Sequence, residues 1–482
     1  VRGCILLWGC FLYPDNIWAQ SVAVPFQGPA AIQRQWGELF GDPILDSLMG
    51  QALLNNKNVL QAIDRIDAAK AGERIAASAF FPQIGVEASW ERERGSAGLS
   101  KEGIVSYGNT AVLGASTSWE LDVFGSIRKN VKSQKELYKV SVENYYWVLV
   151  SLCSEVATAY VNLRTYQQQY VVTQQNIESQ DQVLDITTAR YKAGLASKLD
   201  VLQARTVYLN SKAQLPLLES QIIQAINSIY VLLGAAPQSY MQDRGGINQE
   251  NNSDILSENQ QYNNLPNKNI YRNSPLWKIG EIPVVQMEDT LNLALDALLD
   301  RPDIRAQEYT VNSYAASVGA STADWLPKFF LNGSVGFSSG SFHKIFRNDN
   351  LVFTVNPTVS WTLFSGRQLQ EKTKLAKANW DEAVNAFNLL VITAMQEVDN
   401  AISLYGAYSN QVEMYSQVRG EGVEVLKLSL ELYKKGLQDF QTVLDAQRSL
   451  LSYENSLVAS RGARIAAFVQ LVKVMPSIFV KN

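Results

Sequence analysis

The sequence predicts a mainly α-helical, internally duplicated chain whose four β-strands, two from each half, close a barrel only with other copies of the chain. Three observations carry this expectation. The stretch Leu432–Leu451, LYKKGLQDFQTVLDAQRSLL, repeats an earlier one at Arg190–Arg205, RYKAGLASKLDVLQAR. Two long heptad-patterned runs share one spacing. Four short stretches alternate apolar and polar residues.

The repeat comes first because a missed repeat misassigns the whole fold. Tyr191 matches Tyr433, Gly194 matches Gly436, Leu195 matches Leu437, and Val201-Leu202 match Val443-Leu444, each pair 242 residues apart. Each copy reads as a helix that ends at a glycine, a short turn and a new helix. Glycine is the usual residue just past a helix C-terminus, where φ is positive. Two helical hairpins with matching tips follow.

The elements then come in order. Leu45 to Ala79 has helical periodicity, stopped by Phe81-Pro82. From Ile84 to Arg94 the period becomes 2, with Val86, Ala88 and Trp90 on one face and Glu87, Ser89, Glu91 and Glu93 on the other. After a Gly/Ser-containing loop, Ala111, Leu113, Ala115, Thr117, Trp119 and Leu121 form a second strand face. Ser126 to Lys192 reads as one helix with the seam Tyr138, Val142, Tyr145, Leu149, Leu152, Val156, Ala159, Leu163, Tyr166 and Tyr170. At about 1.5 Å per residue it spans roughly 100 Å. Lys198 to Leu233 returns as a helix about half as long.

Residues 238–283 form an Asn/Gln-rich insertion. The plan then repeats: a helix at 291–299, and another from the Arg301-Pro302-Asp303 start to about Trp325. One strand face follows at Leu331, Gly333, Val335 and Phe337, and a longer one at Leu351, Phe353, Val355, Pro357, Val359, Trp361 and Leu363. The second long helix, from about Arg367, carries Trp380, Val384, Phe387, Val391, Ala394, Val398, Ala401, Tyr405, Tyr408 and Val412, each 242 residues past its first-half counterpart. The organisation is a first repeat at 20–237, the insertion at 238–283 and a second repeat at 284–476. Stacked end to end, the shorter helices of each half match the long one, giving rods with four strands at one end.

Composition excludes several classes. Lys+Arg is 42 against 46 Asp+Glu, a net charge of −4, with no basic block and no basic-aromatic interleaving, so no nucleic-acid partner is expected. Cys4, Cys10 and Cys153 have neither disulfide-framework nor metal-site spacing. The lone histidine, His343, lies in a Gly/Ser-rich loop. With no metal-ligand spacing and no phosphate-cradling glycine loop, neither catalysis nor a cofactor is expected. The leader has an apolar core, Cys4 to Leu12, too short to span a bilayer. Two processing readings compete: a lipobox at Leu7-Trp8-Gly9-Cys10, which lipidates Cys10 and removes 1–9, and an ordinary signal peptide 1–19 cleaved after Ala19. No other apolar run reaches transmembrane-helix length.

Four strands with one apolar and one polar face leave two open edges, which lipid does not tolerate. Three chains supply twelve strands, with the apolar face toward lipid and Glu87, Glu91, Asn356 and Thr358 toward a wet lumen.

Several motifs in the same order carry a family resemblance: Trp36-Gly37-Glu38-Leu39-Phe40-Gly41-Asp42-Pro43-Ile44-Leu45-Asp46-Ser47-Leu48, Ser118-Trp119-Glu120-Leu121-Asp122-Val123-Phe124-Gly125, Arg301-Pro302-Asp303-Ile304, and the two Tyr…Gly-Leu…Val-Leu…Ala repeats. From Trp36 onward the chain resembles the TolC-like outer-membrane efflux proteins, in the NodT/OprM-like branch that serves resistance-nodulation-division pumps. The resemblance implies a homotrimeric duct, with a twelve-stranded β-barrel in outer-membrane lipid and an α-helical barrel in the periplasm. It also implies two partners, a periplasmic adaptor and an inner-membrane resistance-nodulation-division pump.

By the same resemblance the turns at Gly194-Leu195 and Gly436-Leu437 are the tips that meet the adaptor. Asp445, in the Val-Leu-Asp-Ala-Gln-Arg pattern, is the constriction acid. Arg448, one turn on, pairs in the closed state, and Asp200 is the acid of the corresponding first-copy region, although it aligns with Thr442. Where relatives carry a second acid, this chain has Thr442, so a second acidic ring is missing. The function implied is passive exit of drugs or other small toxic compounds. A duct for protein secretion through an ABC exporter stays open as an alternative, as does a periplasmic coiled-coil structural protein.

Overall fold

The computed structural model describes residues 29–96, 107–237, 271, 274–285 and 298–475. The leader with Cys10, most of the Asn/Gln-rich insertion and residues 291–297 of the helix expected at 291–299 lie outside the described residues. The chain divides into two compact units. One comprises the residues up to Leu60, Val148–Leu298 and Gln396 onward; the other comprises Gln61–Trp147 and Leu299–Met395.

Nine helices are described: α1 Pro29–Phe40, α2 Pro43–Asn55, α3 Lys57–Ala77, α4 Ser126–Lys192, α5 Lys198–Lys212, α6 Leu215–Leu232, α7 Pro302–Ala323, α8 Gln368–Lys434 and α9 Phe440–Val474. The four strands are β1 Gln83–Arg94, β2 Tyr107–Leu121, β3 Lys328–Ser339 and β4 Leu351–Ser360. The two long helices are equal, 67 residues each. The seam of α4 is deeply packed at Leu149, Leu152, Val156 and Leu163, whereas in α8 only Ala394 and Ala401 of the corresponding seam are buried. On α8 a row of apolar side chains, among them Leu375, Leu389, Ile392, Leu404 and Val425, is exposed in the single chain.

Three expectations about element limits need correction. The single helix expected over Leu45–Ala79 is broken at Asn56, whose backbone is extended. Its Oδ1 accepts from the N–H groups of Asn58 and Val59 at the start of α3, and its Nδ2 donates to the carbonyl of Leu232 at 2.8 Å. A side chain that caps one helix and ties to another holds the break open. The helix expected over Lys198–Leu233 is two helices. Pro216, near the start of α6, has no N–H to donate to the preceding turn, so α5 stops at Lys212. β4 ends at Ser360 rather than Leu363. The Trp361 indole nitrogen donates to the Trp325 carbonyl at 3.0 Å, which fixes that residue in the connection to α8.

In the second unit the strands form one antiparallel sheet, ordered β1-β2-β3-β4. The register assembles one face from rows such as Val86–Ala115–Val335–Phe353 and Ala88–Leu113–Phe337–Leu351. Val86, Phe353 and Val355 are 79%, 76% and 70% exposed, whereas at the far end of the same face Ala111 is buried and Phe337 is packed by Phe346 of the β3–β4 connection. The other face carries Glu87, Ser116, Asn332 and Asn356, interrupted by Phe330 beside Glu120 and Thr358. Ser118 Oγ lies 2.8 Å from Asn332 Oδ1, a polar contact between neighbouring strands. β1 and β4 are the two open edges.

In the first unit α4 holds Cys153, fully buried, with burial pushing its thiol up to about 12. α2 starts where Asp42 Oδ1 accepts from the N–H groups of Ile44 and Leu45; its Oδ2 accepts from the Tyr160 hydroxyl of α4 at 2.6 Å. Arg164, one turn further on, donates to the Lys278 carbonyl at 2.8 Å, so the last part of the insertion is tied to α4.

Candidate functional site

The two glycine turns close identically. At the first, Gly194 has φ +73°, its N–H reaches the Tyr191 carbonyl at 2.9 Å, and Leu195 N–H reaches the Arg190 carbonyl at 2.8 Å. At the second, Gly436 has φ +74°, its N–H reaches Tyr433 at 3.0 Å, and Leu437 N–H reaches Leu432 at 2.9 Å. This paired pattern satisfies the last carbonyls of a helix and needs a residue that tolerates positive φ. The leucine after each glycine points outward, Leu195 67% and Leu437 72% exposed. Two apolar side chains are thus presented on two turns of the same geometry.

Beneath the turns lies one apolar core: Val183 of α4, Ala204 and Val207 of α5, Tyr433 of α8, and Phe440, Val443 and Leu444 of α9. Here the repeats differ. Tyr433 is buried, whereas Tyr191, its counterpart, is exposed. The Tyr433 ring packs 5.0 Å from that of Phe440 and lies 4.8 Å beneath the guanidinium of Arg190. At the matching positions of the other copy stand Lys198 and Leu432, which cannot build this stack. The signal that could have found Arg190, Tyr433 and Phe440 is this departure from the repeat.

Asp200 is occupied locally. Its Oδ2 accepts from the Ser197 N–H at 3.0 Å while its own N–H donates to Ser197 Oγ at 3.1 Å, a complete capping box at the start of α5. Asp445 stands on α9 with a side chain 59% exposed. Its Oδ1 accepts from Gln441 Nε2 at 3.0 Å and lies 3.9 Å from Arg448 Nη1. A solvent-screened pair at that distance contributes under about 1 kcal/mol, so the carboxylate keeps its capacity for other partners. Asp445 lines a groove of about 870 Å³ between α8 and α9, together with Thr442, Ser449, Tyr453 and Glu421. Arg448 instead lines a polar groove of about 630 Å³ with Gln180, Asn210, Gln214 and Asn455. The structure therefore brings Asp445 and Arg448 together only weakly, and Asp200 does not share their grooves.

A further polar link went unread in the sequence. Glu454 of α9 accepts from Asn176 Nδ2 of α4 at 2.6 Å through one oxygen and from Arg419 Nε of α8 at 3.3 Å through the other. One carboxylate thereby joins three helices.

A sequence profile described as "Outer membrane efflux protein" matches residues 48–235 and 293–476. A solvent efflux pump outer membrane protein of Pseudomonas putida, SrpC, is 29% identical over 489 residues, covering 98% of this chain and 96% of that protein. The pyoverdine export outer membrane protein OpmQ of Pseudomonas aeruginosa is 25% identical over 492 residues, covering 98% and 95%. Among solved structures, the outer-membrane channel OprN superposes with a TM-score of 0.80 at 26% identity, covering 92% of each chain. VceC of Vibrio cholerae superposes at 0.78 with 19% identity, covering 91% and 97%, a likeness of fold.

Proposed function

The chain belongs to the outer membrane efflux protein family, and from that premise we propose that it is the passive exit duct of a tripartite efflux pump, gated near the turns at Gly194 and Gly436. One observation carries the reading: an open four-stranded sheet with an apolar face that is exposed along its two edge strands, as at Val86, Trp90, Phe353 and Val355, and a polar reverse. Such a sheet has a stable place only where lipid covers the first face and its edges are paired by other copies. Two copies would supply eight strands, a barrel whose interior side chains fill; three supply twelve and leave a lumen. The homotrimer is therefore the assembly this reading takes, with the exposed apolar row of α8 facing the next copy.

Leu195 and Leu437 are the contacts proposed for a periplasmic adaptor, which in turn engages an inner-membrane resistance-nodulation-division pump. Three copies of Asp445 around a three-fold axis form the constriction. Converging carboxylates repel, favour bound cations and raise one another's pKa. Arg448, on the neighbouring groove, pairs between helices when the tips close. Asp200 contributes by capping α5 rather than by lining the constriction. The cargo is set by the pump; the relatives' names already span solvents, antibiotics and pyoverdine.

The test is single-channel conductance of detergent-purified protein in a planar bilayer, with Asp445→Ala alongside. A small cation-favouring conductance that rises in the variant supports duct and gate together. A conductance that the substitution leaves unchanged removes Asp445 from the gate. Protein that stays soluble without detergent and never inserts removes the duct.

A further inference from the structure

The apolar face of the sheet does not end in apolar residues. Along β1 it reads Ile84, Val86, Ala88, Trp90, Arg92, Arg94, because alternate residues share a face. The acids Glu87, Glu91 and Glu93 fall on the reverse. Trp90 pairs with Ala111 and Arg94 with Tyr107, toward the end of the sheet opposite the strand ends that join α3 and α4. The β3–β4 connection reaches the same end. Phe346 of that connection packs edge-on against Phe337, a member of the apolar face, with ring centroids 5.7 Å apart. Phe342 and Phe346 are 69% and 70% exposed, and Lys344 and Arg347 beside them are exposed too. Four cations therefore follow an aromatic rim, with Asp349 the one acid among the described residues of the connection.

The dimensions say at what depth these cations sit. From Leu121 to Ala111 the apolar face of β2 runs ten residues, about 34 Å along the strand and about 26 Å along the membrane normal at a usual barrel tilt. That matches the apolar band of about 25 Å in membrane barrels. Trp90, 61% exposed and paired with the buried Ala111, thus marks the outer edge of the hydrocarbon. Arg92 lies about 5 Å and Arg94 about 10 Å beyond, against a headgroup zone of roughly 5–8 Å per leaflet.

We infer that Arg92, Arg94, Lys344 and Arg347 form a binding site for anionic lipid headgroups at the outward rim of the sheet. Arginine forks bind phosphate oxygens two at a time, and the aromatic residues hold the acyl region beneath. The inference rests on the sheet facing lipid, as in the duct reading. It adds that this lipid is selected by charge.

The experiment uses the full chain purified in nonionic detergent and mixed with equal amounts of phosphatidylglycerol and phosphatidylcholine. Retained lipid is counted by native mass spectrometry. The wild-type protein is expected to keep the anionic lipid in about tenfold excess, as a few surface cations give. R92Q/R94Q/K344Q/R347Q is expected to bring the ratio near one, and R92K/R94K to retain most of the preference, which also reports on folding. K374Q/K427Q, on the exposed surface of α8, is expected to change nothing. Equal retention by the wild type overturns the site, as does an effect of K374Q/K427Q as large as that of the rim variant. Protein that inserts and conducts but shows no preference loses this inference alone; protein that never inserts loses the duct reading.

Discussion

The guanidinium of Arg190 lies over the ring of Tyr433, 4.8 Å from its centroid, and its Nη1 donates to the Lys434 carbonyl at 2.7 Å. One side chain from the end of α4 thereby closes the end of α8, capping a carbonyl that the helix leaves unpaired. A cation over an aromatic ring and one charge-assisted hydrogen bond together contribute about 1–2 kcal/mol at a half-exposed position. Arg190→Ala is expected to raise amide exchange at residues 430–437 by that amount, with little change elsewhere. Arg190→Lys keeps the charge but not the planar fork and should fall between. Exchange at these amides that stays at the wild-type rate would show that the stack contributes nothing.

Position 367 is where the second repeat departs from the backbone its sequence suits. Gly125 and Arg367 stand 242 residues apart; φ is +77° at the first and +74° at the second. Both carbonyls accept the first bond of a long helix, from Lys129 and from Glu371. A side chain in this region costs about 1–2 kcal/mol, and glycine there gives back about 0.5–1 kcal/mol in the unfolded chain. Arg367→Gly is therefore expected to stabilise by about 0.5–1 kcal/mol, and Gly125→Ala to destabilise by about 1 kcal/mol. Thermal unfolding midpoints in detergent check both, and a lower midpoint for Arg367→Gly would refute the strain.

What the sequence made legible follows a physical divide. α4 was readable to its ends because a seam repeated over many turns averages out local exceptions, and because Asp122 and Gly194 mark those ends with polar caps and positive φ. The faces of the strands were readable for the same reason. The breaks were not. The break at Asn56 depends on Leu232, 176 residues away in the chain. The end of β4 depends on Trp361 turning toward Trp325, although its counterpart Trp119 stays in β2 while its indole nitrogen donates to the Phe80 carbonyl. At the candidate site, Asp445 and Arg448 stand in a motif that singles them out as candidates, but nothing local marks Glu454 as the residue that joins three helices.

Asp324, just past α7, receives Lys372 Nζ at 2.6 Å and Lys328 Nζ at 3.2 Å. Burial alone would raise its pKa; the two lysines outweigh burial and hold the carboxyl below its ordinary value near 3.8. A folded-state pKa lowered in this way contributes stability that is present above the unfolded value and is lost as pH falls through the folded one. The difference in stability between the wild type and Asp324→Asn is expected to stay constant from pH 8 to about 5 and to shrink below about pH 4. The magnitude is small because Lys372 is more than half exposed. A difference that grew on acidification would reverse the sign and exclude the pairing as its cause.

Gly114 and Gly336 face each other across β2 and β3 on the polar side of the sheet. A Cβ on Gly336 would lie 2.5 Å from Gly114 Cα and 2.6 Å from the Leu113 carbonyl, both backbone atoms that cannot rotate away. A Cβ on Gly333, three residues earlier in β3, would meet the Thr117 methyl at 3.4 Å, an ordinary contact. The two substitutions therefore separate close backbone approach from any general intolerance of alanine in β3. Gly336→Ala must push the strands apart along a ladder of paired residues, an overpacking that costs about 1–3 kcal/mol per chain. If three chains share one barrel the cost is incurred three times, and the assembly should lose heat resistance before any single chain loses its helices. Gly336→Ala is expected to dissociate at markedly lower temperature on semi-native gels while its helical circular dichroism is retained, and Gly333→Ala is expected to track the wild type. Equal losses in the two variants would place the cost in strand flexibility rather than in the contact between the two glycines.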